Sequence, residues 1–153
     1  GFPPLSRMGN TILTHSSPQP RDSLRQMLLQ IAKERGLPYA LSIQELQGGY
    51  TITSRELPQS FQLLALSAKR IWVDGRPDEL LRGINISGSP LSSLSYIVGA
   101  SDQTSLFNGY CGAENGWVPV SAISPDLLFS TMEAEIQPTR SGALPLLSPP
   151  EER

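Results

Sequence analysis

Between Phe61 and Val73 the chain passes through a run in which both alternating sets of residues are largely apolar. One set holds Phe61, Leu63, Ala65, Ile71 and Val73, and the other holds Leu64, Leu66, Ala68 and Trp72. A strand with two apolar faces is covered on both sides and belongs at the centre of a sheet. Trp72 and Val73 are accordingly expected in the core. Asp74-Gly75-Arg76-Pro77 is turn chemistry, and Leu80 to Ser87 returns as a second strand, so the two runs predict a hairpin.

Other strand signals are shorter. Asn10 to Thr14 leans towards β in a proline-rich N-terminal segment, Tyr39 to Ile43 alternates, and Tyr50 to Thr53 follows a break at Gly48-Gly49. Thr104 to Tyr110, Trp117 to Ile123 and Leu127 to Ile136 read as three more strands, separated by glycine-rich and Ser-Pro turns. Two helices interrupt this series. Leu24, Met27, Leu28 and Ile31 form one apolar stripe behind Asp22 or Ser23 as N-cap, and the helix ends at Arg35-Gly36. Ser89-Pro90 opens a second helix, with Leu91, Leu94, Ile97 and Val98 on one face before Gly99. Without regular βαβ alternation, this order predicts an α+β fold, a mainly antiparallel β-sheet with two short helices.

The 153 residues suffice for one compact domain that buries roughly 68–70% of its unfolded surface. That domain is expected over residues 1–137. Pro138 to Arg153 hold four prolines and almost no periodicity, which predicts an extended or disordered tail. A formal net charge of −2 leaves no surplus of positive charge for a phosphate backbone or an anionic bilayer, so nucleic acid is not expected as a partner. The longest apolar stretches are a few residues long, far short of a membrane span. No initiator Met precedes Gly1-Phe2-Pro3, which is expected of a processed product or a piece of a longer chain.

One cysteine, Cys111, and one histidine, His15, exclude an internal disulfide and any site needing two imidazoles from this chain. The unpaired thiol fits a reducing compartment, the cytoplasm. Cys111 lies in the densest cluster of unusual residues, Asn108-Gly109-Tyr110-Cys111-Gly112-Ala113-Glu114-Asn115-Gly116-Trp117. Residue chemistry leaves it open between a small buried hydrophobe, a nucleophile needing His15 as base, and a metal ligand needing partners from outside the chain. His15, between Thr14 and Ser16, reads as a loop residue. Glu133 with Glu135, and Glu151-Glu152, read as solvated surface, and Asp102 as an isolated loop acid.

Several blocks together resemble the C-terminal domain of the TldD/PmbA family of zinc metallopeptidases, formerly described as modulators of DNA gyrase. Arg7-Met8-Gly9-Asn10-Thr11 resembles that domain's opening Arg-Met-x-Asn-Thr. Gly83-Ile84-Asn85-Ile86-Ser87-Gly88, with Leu94, Ile97 and Val98-Gly99 through Asp102, resembles its strand-helix stretch. Cys111-Gly112, Gly116, Pro119-Val120, Pro125 and Leu127-Leu128 resemble its Cys-Gly-x-x-Gly, Pro-Val-Gly and Gln-Pro-Thr-Leu run, with Gly116 one place late and Ser121 and Ser124 replacing a glycine and a glutamine.

The resemblance implies that Cys111 is one zinc ligand, completed by two histidines of a His-Glu-x-x-x-His helix in a preceding domain. Two imidazoles and a thiolate leave a position for water, with the glutamate as general base. It further implies an unfolded peptide as substrate, held extended against strand edges, and a homo- or hetero-oligomer with a family member. This chain alone lacks the histidine helix, so it holds no catalytic residue and is expected to bind no zinc by itself. The family's non-catalytic partner subunits offer the alternative, as does a stand-alone peptide-binding module.

Overall fold

The computed structural model of the protein describes residues 4–52 and 57–136. The predicted tail at 138–153 lies outside the described residues, as do Thr53 and Glu151-Glu152. In chain order the elements are β1 (Asn10–Ile12), α1 (Arg21–Glu34), β2 (Tyr39–Ile52), β3 (Ser60–Trp72), β4 (Glu79–Leu81), β5 (Ile84–Gly88), α2 (Pro90–Ser95), β6 (Ile97–Ala113), β7 (Gly116–Phe129) and β8 (Glu133–Ile136). The fold is α+β and mainly antiparallel, and only α2 is a short helix.

The doubly apolar run becomes β3, and it is central. β2 pairs along one edge from Tyr39↔Trp72 to Ile52↔Ser60, while β5 and β4 share the other edge. β8 then adds to β5, so the larger sheet runs β2-β3-β5-β8, with β4 on β3. Ala65, Ala68, Ile84 and Ile86 form the buried cluster, with Leu41, Ile43, Phe61, Leu63, Leu81 and Met132 packed against it. Cover on both faces is incomplete, because Leu66 is exposed. Trp72 and Val73 are half-buried rather than core. Trp72 meets Tyr39 edge-on at 5.5 Å, and the Arg76 guanidinium lies 3.8 Å from its ring centre, so cations rather than apolar side chains cover this end of the strand.

Two strand boundaries depart from the periodicity. β2 is continuous, and Gly48-Gly49 falls where register shifts mark a bulge, not a break. A Cβ at Gly49 would stand 2.4 Å from the Gln62 carbonyl oxygen, so glycine there permits close approach to β3. The return strand is divided into β4 and β5 at Arg82-Gly83, where Gly83 turns the backbone with φ +69°.

α1 begins one residue before the predicted caps. Pro20 precedes it in extended conformation and makes no side-chain cap, while Asp22 sits in the first turn, where its charge complements the helix dipole. Its end is as expected. Gly36 takes φ +67°, its N–H bonds the Lys33 carbonyl at 3.0 Å, and the Leu37 N–H bonds the Ala32 carbonyl at 2.9 Å, the Schellman pattern. α1 packs against β2 of the larger sheet and against β6 and β7 of the smaller one. It buries Leu24 and Ala32, pairs Arg21 with Asp126 of β7, and sets the Arg25 fork on Asp78 at 2.7 and 3.0 Å.

α2 starts at Ser89-Pro90 but stops at Ser95, four residues before the predicted glycine. Ile97 and Val98 belong to β6, and Leu91 and Leu94 are exposed. Gly99 is not a helix cap. Added there, a Cβ would lie 3.0 Å from Leu24 Cδ2, so the glycine lets α1 close on β6.

The smaller sheet runs β1-β7-β6. β6 and β7 form a long hairpin about a Glu114-Asn115 turn, and β1 lies parallel to β7 with Asn10↔Ser121 and Ile12↔Ile123 in register. The predicted strand Leu127 to Ile136 is split between sheets: Leu127 to Phe129 complete β7, and β8 crosses to pair with β5. Among the described residues, no helix is long and apolar enough to cross a membrane.

Ile84, fully buried between β3 and β8, is the side chain on which the larger sheet closes. Ile84→Ala is expected to cost about 2–5 kcal/mol in urea unfolding. The Arg25 hydrogen bond holds the Asp78 carboxyl below its ordinary range. Such a pair stabilises above the unfolded carboxylate pKa of about 3.9 and fades as pH falls through the depressed native value. Asp78→Asn should therefore lower the urea midpoint at neutral pH, and the difference from wild type should vanish in strong acid.

Candidate functional site

The β6–β7 hairpin presents Cys111 close to its turn. Cys111 stands opposite Val118, and Gly112 stands opposite Trp117. The Trp117 ring lies across Gly112, where a Cβ would meet it at 2.9 Å, and Gly116 leaves the turn with φ +105°. The glycines of this segment thus let a ring lie flat on the backbone and let the chain reverse. Cys111 is half-buried, and alternation puts it on the face opposite Tyr110 and Gly112.

The parallel register of β1 on β7 brings a further residue to Cys111. Arg7 stands three places before Asn10, the first residue of β1 paired with β7, so the same direction of travel carries it towards the Gly116 end of β7. The Ser121 N–H bonds the Gly9 carbonyl at 2.8 Å and extends that pairing towards Arg7. Arg7 Nη1 donates to the Cys111 carbonyl oxygen at 2.9 Å and to Cys111 Sγ at 3.4 Å. Nη2 donates to Asn115 Oδ1 and to the Gly116 carbonyl at 3.3 Å. One guanidinium therefore grips the cysteine and both sides of the turn. Residue chemistry alone did not single out Arg7; its place at the head of the Arg7-Met8-Gly9-Asn10-Thr11 block was its sequence signal.

The remaining candidates lie elsewhere. His15 is exposed, and its Nδ1 accepts a hydrogen bond from the Ser17 N–H at 3.1 Å in a local turn. Asp102 bonds through its backbone amide to the Gln19 carbonyl. Glu133 and Glu135 are exposed on β8, opposite Ser87 and Asn85. Among the described residues, no group of three or more His, Cys, Asp and Glu side chains gathers to hold a metal. The donor set fits zinc only as one thiolate of a shared site, with the other ligands brought by another domain or chain.

Two concavities stand out among the described residues, one on the hairpin and one away from it. One, of about 420 Å³, lies on the face opposite Cys111, between Asn10, Asn108, Tyr110, Pro119 and Ser121. Ser121 Oγ donates to Asn108 Oδ1 at 2.7 Å within it. The larger, of about 670 Å³, lies at the end of the larger sheet beside α2, where Ser60, Ser87, Ser92 and Thr131 surround Phe61 and Tyr96. The arm itself is unusually apolar for an exposed surface: Met8, Ile12, Leu106, Phe107, Tyr110 and Trp117 all lie open.

No family model matches the chain, and no curated protein matches it.

The exposed indole gives a direct check on this geometry. With Trp72 replaced by Phe, Trp117 should emit as a solvated indole and be quenched efficiently by acrylamide; a blue-shifted, shielded emission would contradict the open hairpin.

Proposed function

We propose that this chain is the C-terminal domain of a TldD/PmbA-type zinc metallopeptidase that hydrolyses unfolded peptides, with Cys111 as its contribution to a divided metal site. What supports this reading is the resemblance of the Arg7-Met8-Gly9-Asn10-Thr11 and Cys111-Gly112 blocks, together with a half-buried thiol held near the tip of a hairpin. Cys111 would hold the metal as a thiolate, and Arg7 would keep the hairpin shaped around it. A zinc ion held there would supply Lewis-acid chemistry for peptide hydrolysis, with two further ligands and the general base expected from the His-Glu-x-x-x-His helix of the preceding domain.

The apolar arm formed by Met8, Ile12, Leu106, Tyr110 and Trp117 is a surface suited to that preceding domain or to a family partner subunit. The substrate is a peptide in extended form, paired with a strand edge through its backbone. The cytoplasm is the compartment proposed, because there an unpaired thiol stays reduced.

The Arg7 bonds to Asn115 Oδ1 and to the Cys111 and Gly116 carbonyls, which brace the turn, favour a second reading, a non-catalytic partner subunit or peptide-binding module in which the segment is structural. One experiment separates the two. In protein that includes the preceding domain, zinc content should be about one per subunit. Cys111→Ala should lower zinc affinity by more than the roughly 10–100-fold that loss of an outer-shell partner costs, and peptide hydrolysis should fall with it. Unchanged zinc content and rate in that variant would leave the non-catalytic reading.

A further inference from the structure

We propose that Arg7 is a positioning residue for the Cys111 sulfur, setting both its direction and its electrostatic surroundings. The inference rests on the reading of Cys111 as a metal-site thiolate and extends it to a residue outside the hairpin. A guanidinium serving only to brace the turn would be satisfied by Asn115 Oδ1 and the carbonyls of Cys111 and Gly116. Here Nη1 also reaches Sγ at 3.4 Å, so the same group that fixes the backbone of Cys111 fixes its side chain.

The chemistry favours arginine specifically. A thiolate sulfur has several lone pairs, so it accepts an N–H bond while another lone pair faces a metal. The planar fork places two nitrogens on groups from both strands of the hairpin, which the single ammonium of lysine does not do. Partners of this kind orient a ligand and tune it, and their loss commonly lowers metal affinity about 10–100-fold. Arg7 reaches the site because β1 runs parallel to β7, so the direction of the sulfur is tied to docking of the N-terminal segment.

Cys111 is the only cysteine, so thiol alkylation of the 153-residue chain reports on it alone. The test compares iodoacetate, an anion, with the neutral iodoacetamide at one pH and low salt. A cation against the sulfur favours the anionic reagent. In Arg7→Ala the iodoacetate-to-iodoacetamide rate ratio should fall about fivefold, the factor that about 1 kcal/mol between unit charges roughly 4 Å apart in water provides. Simple loosening of the hairpin raises both rates together, and an unchanged ratio would overturn the proposal.

Arg7→Lys keeps the charge without the fork. It should retain most of the wild-type ratio yet, in protein that includes the preceding domain, bind zinc about 10–100-fold more weakly in competition with a chelator. Wild-type zinc affinity in Arg7→Lys would also overturn the proposal. Should Arg7→Ala fail to fold, a salt titration of the wild-type chain replaces it: the ratio should collapse as salt screens the guanidinium, and a salt-independent ratio counts against Arg7. The two readings fail separately. If Cys111→Ala leaves zinc unaffected while the alkylation ratio still depends on Arg7, the metal reading falls and the hold of Arg7 on the sulfur stands. If Cys111→Ala loses zinc but the ratio ignores Arg7, only the positioning role falls.

Discussion

A strand with partners on both edges organises this molecule. β3 leaves no run of unpaired amide groups along most of its length, because β2 takes one side while β5 and β4 divide the other. The buried cluster of Ala65, Ala68, Ile84 and Ile86 follows from that arrangement. Two of its four members are alanines, so the backbones approach closely and little space remains for larger side chains. The core is correspondingly small, and α1 compensates by binding both sheets through Leu24, Ala32 and the Arg21 and Arg25 pairs.

The smaller sheet obeys a different logic. β6 and β7 are joined by a two-residue turn and are amply hydrogen-bonded, yet their arm is exposed and apolar on both faces, with Phe107 on one and Tyr110 and Trp117 on the other. A sheet of this kind is ordered by its backbone but not by burial. Cys111 lies near the tip of this arm, three places from the turn, where backbone pairing and the Arg7 guanidinium rather than burial hold it.

Much of the fold was legible where a local rule had no competitor. The doubly apolar β3, the Gly36 end of α1 and the Ser89-Pro90 start of α2 all depend on a few adjacent residues, and all three are present. The failures share a cause, which is competition from distant groups. Ile97 and Val98 fit a helical stripe, but β7 claims them as strand, and Gly99 serves the approach of Leu24 rather than a helix end. Gly48-Gly49 resembles a break until Gln62 and Leu63 are seen crossing it. Trp72 looks like core, yet it ends beneath guanidiniums because β3 has reached the edge of the apolar cluster.

By itself the amino-acid sequence determined the α+β class, the inventory of one thiol and one imidazole, and therefore the exclusion of any site that needs two imidazoles or two thiols from this chain. Those conclusions rest on counts and short-range periodicity, which no tertiary contact alters. Only the tertiary structure decided what stands beside the cysteine. Arg7 and Cys111 are 104 positions apart, and what joins them is the parallel register of a three-residue strand, a pairing with no local signature. Backbone hydrogen bonds between distant segments settle such neighbours, and their partners are chosen by the whole fold rather than by the residues on either side.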